Sequence, residues 1–573
     1  MSETQTKHQH HKIDPKNGFC SETKIFHSLR PPVQLPPLSQ PISVVEYTLS
    51  LLHETTTSST STTTPSTPFL IDSATGHQIS YSDFLNQVHS LSFSLLSRFP
   101  SLSQNDVAFI LSPPSFHVPI LYFSLLSLGI TVSPANPLSS TSELTHLLQL
   151  IKPALIFTTS SISPKLPKKS SHKTIFLDSP EFLSMLSNST ATSEYNNLSS
   201  GRRRVINQND SAAILFSSGT TGRVKGVELS HRNLIAVIAG LYYNKFDSGE
   251  NIADEAPPHS VSLFPLPLFH VFGFFMLIRA AALGETLVLL GRFEFEKMLE
   301  AVEKYKVTYM PVSPPLVVAL AKSDLVSKYD LSSLRLLGCG GAPLGKEVSE
   351  RFNARFPHVE ITQGYGMTET GGAATRMIGS EESKKYGSAG RLGENTEAKI
   401  VDPDSKQALP PCQQGELWLR GPMIMKGYVG DDQATAETLD SEGWLRTGDL
   451  CYFDSDGFLY IVDRLKELIK YKAYQVPPAE LEHLLQSIPE IADAAVIPYP
   501  DEEAGQIPMA YIVRKPGSHI TEKQIMDFVA QQVAPYKKIR RVAFISSIPK
   551  SPAGKILRRE LVKHAVSAAS AKL

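Results

Sequence analysis

A loop rich in glycines and hydroxyl side chains follows a short apolar run. It reads Ser217-Ser-Gly-Thr-Thr-Gly-Arg-Val-Lys-Gly-Val227 and comes directly after Ala212-Ala-Ile-Leu-Phe216. Glycines let backbone N–H groups approach a phosphate closely, hydroxyls add donors, and Lys225 supplies a positive charge. The spacing differs from the common P-loop, because only two residues separate Gly219 from Gly222. We interpret this segment as a polyphosphate-binding loop for ATP; a flexible surface loop is the alternative.

The elements that position this loop are expected to be a strand before it and a helix after it. The apolar run before the loop is typical of a buried strand. Ser230 is placed to cap a helix whose apolar residues recur at helical spacing, namely Leu234, Val237, Ile238 and Leu241. The sequence therefore predicts a strand–loop–helix unit around the phosphate site.

Further clusters of glycines, carboxylates and lysines follow in a fixed order. They are Gly340-Gly-Ala-Pro-Leu344, Gln363-Gly-Tyr-Gly-Met-Thr-Glu369, Gly443-Trp-Leu-Arg-Thr-Gly-Asp449, Asp463-Arg-Leu-Lys-Glu-Leu-Ile-Lys-Tyr-Lys472 and Pro549-Lys-Ser-Pro-Ala-Gly-Lys555. In this order they resemble the adenylate-forming superfamily, which includes acyl-CoA synthetases, luciferases and peptide-synthetase adenylation domains. Within it, the chain is most similar to plant 4-coumarate–CoA ligases and their peroxisomal ligase-like relatives. The resemblance covers nearly all of the chain beyond residue 15.

This resemblance implies an AMP-forming acid–CoA ligase. In such enzymes a carboxylate attacks the α-phosphate of ATP and expels pyrophosphate, and the thiol of coenzyme A then captures the acyl-adenylate. Two anions must meet in the first step, so the chemistry depends on positioning and on charge neutralisation by Mg²⁺ and lysine. The expected ligands are ATP, Mg²⁺, coenzyme A and a small-molecule carboxylic acid.

The resemblance also implies which residues bind the nucleotide. The β- and γ-phosphates are assigned to Ser217, Ser218, Gly219, Thr220, Thr221, Gly222 and Lys225. The adenine is expected to lie against Gly341, Gln363, Gly364 and Tyr365. Thr368 is expected at the α-phosphate and Glu369 on Mg²⁺. Asp449 matches the ribose-binding carboxylate, which accepts two hydrogen bonds from a diol, and Arg464 assists it.

The implied catalytic residues change between the two half-reactions. Lys555 matches the lysine that bridges the carboxylate and the α-phosphate during adenylation. Family members then rotate the small domain, and Lys466 occupies the hinge position. Rotation is expected to bring Lys470 and Gln475 to the site for thioester formation. The expected contacts with coenzyme A are Arg292, Lys472 and Ala473.

Five positions near the acyl pocket and the pantetheine channel bear on the substrate and on the thioester step. His270 matches the active-site histidine of the family, acting as base or gate, although a hydrogen-bonded core histidine is the alternative. Hydroxycinnamate-specific relatives carry a tyrosine two residues later that hydrogen-bonds the phenol of the substrate, whereas Phe272 has no hydroxyl. Gly372 and Ala373 are smaller than their counterparts, which predicts a wider acyl pocket. Ala473 replaces a usual glycine beside the pantetheine channel.

Length and patterning predict a layered α/β fold with two unequal bodies. The chain has 573 residues, too many for one core, and short apolar strands alternate with helical patterns. The polar segment Glu54–Pro65 is expected to be a solvated loop. Thr521-Glu-Lys-Gln524 is expected to be a capping box. We predict a disordered N-terminus at 1–15, a large AMP-binding domain at 16–463, a small mobile α+β domain at 464–570 and a targeting tripeptide at 571–573.

Composition excludes several classes of function. The 55 basic and 56 acidic side chains nearly cancel, which leaves no electrostatic footprint for nucleic acid. Prolines divide the uncharged stretches Val107–Ser142 and Val261–Ile278, so we expect buried α/β elements and no membrane span. The four cysteines show no metal-ligand spacing. The ending Ala571-Lys-Leu573 is a conservative variant of the Ser-Lys-Leu signal, which predicts binding by the peroxisomal import receptor and a location in the peroxisomal matrix.

The sequence therefore predicts an acid–CoA ligase for a fatty acid or a jasmonate-precursor cyclopentane acid. A hydroxycinnamate or cinnamate ligase is the alternative within the same class. An alternative of a different class is an adenylate-binding protein, or an enzyme that stops after adenylation. Ala473 favours that last alternative, whereas Lys555, Lys470 and His270 argue against it.

Overall fold

The structure is a computed structural model that describes residues 13–57, 63–167, 173–187, 204–217, 224–247, 259–472, 474–501, 503–551 and 554–570. Several predictions concern residues outside these ranges. They are the disorder of residues 1–12, the phosphate-binding residues Ser218–Gly222, the coenzyme A contact Ala473 and the targeting tripeptide 571–573.

Two sheets form the layered core of the large domain, and the central strands of each sheet are mainly parallel. The first has the strand order Gly427–Tyr428, Lys225–Ser230, Ser211–Ser217, Thr131–Pro134, Val107–Leu111, Leu155–Thr158 and Lys173–Phe176. The second has the order Arg391–Leu392, Gly372–Arg376, Glu360–Met367, Leu336–Cys339, Tyr309–Val312, Val261–Phe264, Thr286–Leu289, Pro68–Asp72 and Gln78–Ser80. Their central strands are short apolar runs because helices cover both faces.

The helices of the large domain pack on these sheets. They are Val44–Thr57, Tyr81–Arg98, His117–Ser127, Thr141–Ile151, Pro180–Leu186, His231–Asp247, Val271–Ala282, Phe295–Tyr305, Pro314–Lys322, Lys346–Arg355, Gly379–Ser383 and Asp432–Thr438. Short 3₁₀ turns occur at Ser163–Lys165, Asp324–Lys328 and Thr368–Thr370. The helix His117–Ser127 is buried on nearly every side, which explains the lack of charge in its sequence. In the part of the chain that the structure describes, no helix is long and apolar enough to cross a membrane.

The large domain also contains a third sheet, which is antiparallel. Its strands are, in order, Phe19–Cys20, Ile25–His27, Glu397–Val401, Gly415–Arg420, Leu445–Phe453 and Leu459–Arg464, with Ala408–Leu409 beside Glu397–Val401. The ring of Phe26 stacks on that of Phe453, with 4.5 Å between centroids. Ile13 also forms a β-bridge with Cys20. Ordered structure therefore begins before residue 16, where we predicted the large domain to start.

The small domain has its own sheet and core. The strands are Tyr474–Val476, Ile469–Tyr471, Gly505–Arg514 and Ile491–Asp501, and Arg541–Phe544 pairs in parallel with Gly505–Arg514. The helices are Pro478–Ser487, Glu522–Ala530 and Arg558–Ser570, with a 3₁₀ turn at Pro535–Lys537. Thr521 and Gln524 form the predicted capping box. A large layered α/β domain with a small α+β domain is the fold class predicted from the sequence, and this prediction is confirmed.

The surroundings of the glycine-rich loop differ from the prediction. The loop does not lead from a strand into a helix, because Lys225–Ser230 is itself a strand that pairs antiparallel with Ser211–Ser217. This second strand forms because Val227 and Leu229 alternate with polar residues and are fully buried. Ser230 nevertheless caps the following helix as predicted, since its Oγ accepts a hydrogen bond from a backbone N–H at 3.2 Å.

The prediction that the polar segment Glu54–Pro65 is a solvated loop is wrong for residues among those described at each end; residues 58–62 lie outside the described residues. The first residues of the segment belong to the helix Val44–Thr57, where the Thr55 hydroxyl donates to the Leu51 carbonyl at 3.0 Å. Thr63 is buried and donates to the Gly284 carbonyl at 2.9 Å. Threonine methyl groups pack in the interior once the hydroxyl has a backbone acceptor, and composition alone does not reveal that acceptor.

Candidate active site

A cleft of about 290 Å³ lies where the two domains meet. Strand ends of the second sheet, the last two strands of the antiparallel sheet and the segment before the final helix line it. It brings together predicted residues that are widely separated in the chain, namely Gly341, Gln363, Gly364, Tyr365, Asp449, Arg464 and Lys555. The cleft therefore has nucleotide-binding candidates from the large domain and a candidate catalytic lysine from the small domain.

The predicted adenine site is formed at the end of two neighbouring parallel strands. Gly341 follows the strand Leu336–Cys339 and has a φ of 86°, a left-handed conformation that glycine adopts without strain. Gly364 lies close to the next strand, since a Cβ there would be 2.9 Å from the Thr375 carbonyl oxygen. Glycine at these positions keeps the floor of the cleft flat, which suits a planar base.

The predicted ribose site is a buried carboxylate with two fixed neighbours. Asp449 and Arg464 are direct cross-strand partners, and Arg464 Nε lies 3.4 Å from Asp449 Oδ1. The Tyr365 hydroxyl donates to Asp449 Oδ2 at 2.6 Å, a link that the sequence did not indicate. Burial raises the pKa of Asp449, and the Arg464 guanidinium opposes that shift. The carboxylate is thus held in one orientation, from which it can accept hydrogen bonds from a diol.

Lys555 lies over this cleft because the small domain packs against the large one. Its loop is closed by a hydrogen bond from the Ser551 N–H to the Lys555 carbonyl at 2.7 Å. Gly554 lies against the large domain, since a Cβ there would be 3.1 Å from Ser313 Oγ. Lys555 Nζ is 3.8 Å from Glu467 Oε1. Burial, together with the nearby positive charge of Arg464, lowers the pKa of Lys555.

The predicted phosphate and metal ligands are not among the described residues that line the cleft, but they meet in a cluster of their own. The Ser217 hydroxyl donates to Glu369 Oε1 at 3.1 Å, and the Tyr428 hydroxyl donates to the same oxygen at 2.9 Å. Lys225 Nζ lies 4.3 Å from the centroid of the Tyr428 ring. Thr368 is buried beside Glu369 in a 3₁₀ turn. The carboxylate and hydroxyl oxygens of this arrangement suit Mg²⁺ as ligands, and the Lys225 ammonium group suits phosphate.

Tyr428 is a site residue that sequence reasoning missed. It is adjacent to Lys225 only because the short strand Gly427–Tyr428 pairs with Lys225–Ser230, with Val227 opposite Tyr428. No local spacing relates two segments that lie so far apart in the chain. Burial raises the pKa of the Tyr428 phenol, so it stays a hydrogen-bond donor toward Glu369.

Among the described residues, the set lining the cleft does not include the other predicted catalytic and coenzyme A residues. Lys470 and Gln475 are exposed cross-strand partners on a hairpin of the small domain. Lys472 lies at the turn of that hairpin with a φ of 53°. Lys466 is exposed in the turn between the antiparallel sheet and this hairpin, and Arg292 is exposed after the strand Thr286–Leu289. The structure thus has Lys555 in the cleft and Lys470 outside it.

His270 caps the helix Val271–Ala282. Its Nδ1 accepts a hydrogen bond from the Phe272 N–H at 3.3 Å. Burial lowers the pKa of His270 to about 4, so the ring is neutral near pH 7. Because Nδ1 accepts, the proton of the neutral ring is on Nε2. The network therefore makes Nε2 the hydrogen-bond donor of this ring.

Apolar side chains fill the region of the predicted acyl pocket beside the cleft. The Phe272 ring stacks on Phe275, with 5.6 Å between centroids and 20° between planes. Its Cε1 is 3.4 Å from the position that a Cβ of Gly340 would take. We call Phe272, Phe275 and Val237 the apolar wall.

Gly372 does not widen the acyl pocket in the way we predicted. A Cβ at Gly372 would lie 2.6 Å from Val237 Cγ1 and 3.3 Å from Phe275 Cδ1. These two side chains already occupy the volume that a larger residue would need. The apolar wall therefore already fills the space beside Gly372, and Ala373 is next to Gly372 on the same strand.

Comparisons with known proteins agree with this architecture. A family model described as AMP-binding enzyme matches residues 58–429, and one described as AMP-binding enzyme C-terminal domain matches residues 480–555. The curated protein 4-coumarate--CoA ligase-like 9 of Arabidopsis thaliana is 58% identical over 563 residues, which cover 98% of each chain. Peroxisomal OPC-8:0-CoA ligase 1 of the same plant is 44% identical, and the alignment covers 97% of this chain and 99% of that protein.

Solved structures show the same fold at low sequence identity. ATP-bound MatB from Rhodopseudomonas palustris matches with a TM-score of 0.77 and 24% identity, covering 91% of this chain and 99% of that one. Bacillus subtilis o-succinylbenzoate CoA synthetase with its acyl-adenylate intermediate matches with a TM-score of 0.72 and 24% identity, covering 90% and 97%.

A large α/β domain and a small α+β domain around one nucleotide cleft define the adenylate-forming enzymes. The chain belongs to the AMP-binding enzyme family. The predicted class, an AMP-forming acid–CoA ligase, is confirmed by these relatives.

Proposed function

We propose that this enzyme joins a fatty acid or a jasmonate-precursor cyclopentane acid to coenzyme A in the peroxisomal matrix. The observation that carries the choice of acid is the apolar wall, in which Phe272 offers no hydroxyl to a phenolic substrate. A relative named Peroxisomal OPC-8:0-CoA ligase 1 supports this choice and the compartment. The ending Ala571-Lys-Leu573 supports recognition by the peroxisomal import receptor.

In the first half-reaction, an oxygen of the acid attacks the α-phosphorus of ATP and the bond to the bridging oxygen breaks. Lys555 neutralises charge between the carboxylate and the α-phosphate, because the small domain holds it over the cleft. Glu369 would hold Mg²⁺, which would neutralise charge on the phosphate oxygens. Lys225 and Ser217 hold the β- and γ-phosphates, and Asp449 with Arg464 holds the ribose.

In the second half-reaction, the small domain turns about Lys466 and the hairpin with Lys470 and Gln475 replaces Lys555. The sulfur of coenzyme A attacks the acyl carbon, and the bond to AMP breaks. His270 donates from Nε2 to the acyl oxygen and orients it. Exposure of Lys470 in this structure supports the scheme, since a group used only in the second step must be outside the cleft during the first. Arg292, Lys472 and Ala473 contact coenzyme A.

A panel of acids tests the substrate. With ATP and coenzyme A, medium- and long-chain fatty acids or cyclopentane acids should exceed 4-coumarate in kcat/KM by at least tenfold. The Phe272→Tyr variant is the matched variant, because it adds a hydroxyl to Cζ, an atom 3.6 Å from the Cβ position of Gly340, and Gly340 directly precedes the cleft residue Gly341. It should raise kcat/KM for 4-coumarate roughly tenfold, because one hydrogen bond to the substrate phenol contributes about that factor.

The competing candidate is a hydroxycinnamate ligase, favoured by the name 4-coumarate--CoA ligase-like 9 of the relative at 58% identity. A wide preference of the wild-type enzyme for 4-coumarate would support it and refute the argument from the apolar wall. Pyrophosphate exchange without any thioester product would instead support an enzyme that stops after adenylation.

His270→Asn separates the capping role of His270 from its chemistry. Asparagine is a preferred N-cap and keeps an acceptor for the Phe272 N–H, whereas His270→Ala removes it and should cost about 1 kcal/mol of stability. Both variants should lower kcat/KM by roughly 10²-fold, because neither retains the imidazole donor. Thermal unfolding and steady-state kinetics measure the two effects. Near wild-type kcat/KM in the asparagine variant would show that His270 only caps the helix.

A further inference from the structure

The helix Pro478–Ser487 of the small domain has charged side chains of the large domain at both ends. At its start, Asp463 Oδ2 accepts the N–H of Ala479 at 2.9 Å. At its end, Lys322 Nζ contacts the Gln486 carbonyl at 3.4 Å and the Ile491 carbonyl at 3.3 Å. A helix presents unpaired N–H groups at its start and unpaired carbonyls at its end. The two charges thus match the polarity of this helix.

The middle of the same helix also packs on the large domain. A Cβ at Gly345 would lie 3.3 Å from the ring of His483. Burial lowers the pKa of His483, so its ring packs there without charge. Contacts with the large domain therefore occur at the start, in the middle and at the end of this ten-residue helix.

This helix is joined to the loop that carries Lys555. Glu482, on the helix, accepts a hydrogen bond from Arg558 Nη2 at 2.7 Å, and Arg558 also pairs with Glu467. Arg558 follows Lys555 by three residues, and Glu467 Oε1 lies 3.8 Å from Lys555 Nζ. Because Glu482 is buried and the other three groups are partly buried and mutually paired, the position of the helix determines the position of Lys555.

We propose that Lys322 is a positioning residue for adenylation, holding the helix Pro478–Ser487 in the orientation that places Lys555 in the cleft. This inference rests on the proposed two-position mechanism. The contacts of Lys322 with Gln486 and Ile491 connect the two domains, so they must break when the small domain turns. Lys322 therefore stabilises the adenylating arrangement and contributes nothing to the thioester-forming one.

The surroundings of Lys322 change its charge but not its ability to donate to the Gln486 and Ile491 carbonyls. Burial and the neighbouring cations Arg351 and Lys515 lower the pKa of Lys322 to about 8. A lysine amine keeps N–H donors in either protonation state, so it can still serve both carbonyls. Lys322→Met keeps most of the aliphatic stem and leaves the two carbonyls without this donor.

The test compares Lys322→Met, Lys322→Arg and the control Lys297→Met in both half-reactions. Lys297 is an exposed lysine of the large domain that pairs with Glu294 on its own helix. ATP–pyrophosphate exchange measures adenylation, and AMP release from a preformed acyl-adenylate with coenzyme A measures thioester formation. Lys322→Met should slow adenylation about tenfold, a shift of about 1.4 kcal/mol, and leave thioester formation at or above the wild-type rate. Lys322→Arg should restore most of the loss, and the control should change neither.

Equal loss in both half-reactions, or no loss in either, would overturn the proposal for Lys322. Absence of adenylation by the wild-type enzyme with every acid would instead refute the proposed function. A second measurement needs no substrate, namely the rate at which trypsin cleaves the hinge between Arg464 and Lys472. Lys322→Met should raise this rate at least threefold and Lys322→Arg should return it toward wild type. An unchanged rate would also overturn the proposal.

Discussion

Lys555→Ala is expected to abolish adenylation but to leave capture of a preformed acyl-adenylate largely intact, and Lys470→Ala to do the reverse. Lys555 lies in the cleft with Asp449 and Arg464, where it can reach a carboxylate and an α-phosphate together. Lys470 is exposed on its hairpin and takes no part in this arrangement. Removing one preorganised charge from a transition state typically costs about 10²- to 10³-fold in rate. Each variant should show that loss in one half-reaction only.

Pyrophosphate exchange and AMP release from acyl-adenylate measure the two rates separately. Lys563→Ala is the matched control, because Lys563 is a solvent-exposed lysine on the final helix of the same domain. It should change neither rate, since exposed charges contribute little. Equal loss of the same half-reaction in the Lys555 and Lys470 variants would contradict alternation between two positions.

Much of the fold follows from patterns that are local in the sequence. Apolar strands alternating with amphipathic helices predicted the two-domain α/β architecture, and Thr521 with Gln524 predicted a helix start. The hairpin after Ser217 was not predicted, because glycine and hydroxyl residues dominate the loop and only Val227 and Leu229 mark the second strand. This strand also pairs with the distant edge strand Gly427–Tyr428, and a local pattern does not contain that pairing.

The candidate site, like the fold, was predicted only in part from the sequence. Motif order predicted the residues gathered around Asp449, Arg464 and Lys555, since each belongs to a segment with a recognisable sequence. No sequence motif indicated Tyr428 or Lys322, whose positions depend on strand pairing and on contact between domains. Pocket width at Gly372 was also misjudged, because the neighbours that fill a missing side chain come from other elements.

Glu369→Gln is expected to slow adenylation by about 10²- to 10³-fold and to raise the Mg²⁺ concentration needed for half-maximal rate. Glutamine has nearly the same shape and can still accept from the Ser217 and Tyr428 hydroxyls, but it lacks the charge that binds a hard cation. Pyrophosphate exchange at increasing Mg²⁺ measures both effects. Wild-type dependence on Mg²⁺ in this variant would show that Glu369 does not hold the metal.

Tyr428→Phe is the matched variant for this prediction, because it removes a hydroxyl that orients Glu369 and keeps the carboxylate charge. It should slow adenylation by roughly tenfold or less, the value of one hydrogen bond to a charged group. Glu369 is only 5% exposed, and neutralising a buried carboxylate removes its desolvation cost. We therefore expect Glu369→Gln to unfold at the wild-type temperature or above it. Lost activity with retained stability would then identify the charge of Glu369, and not its packing, as the property that adenylation requires.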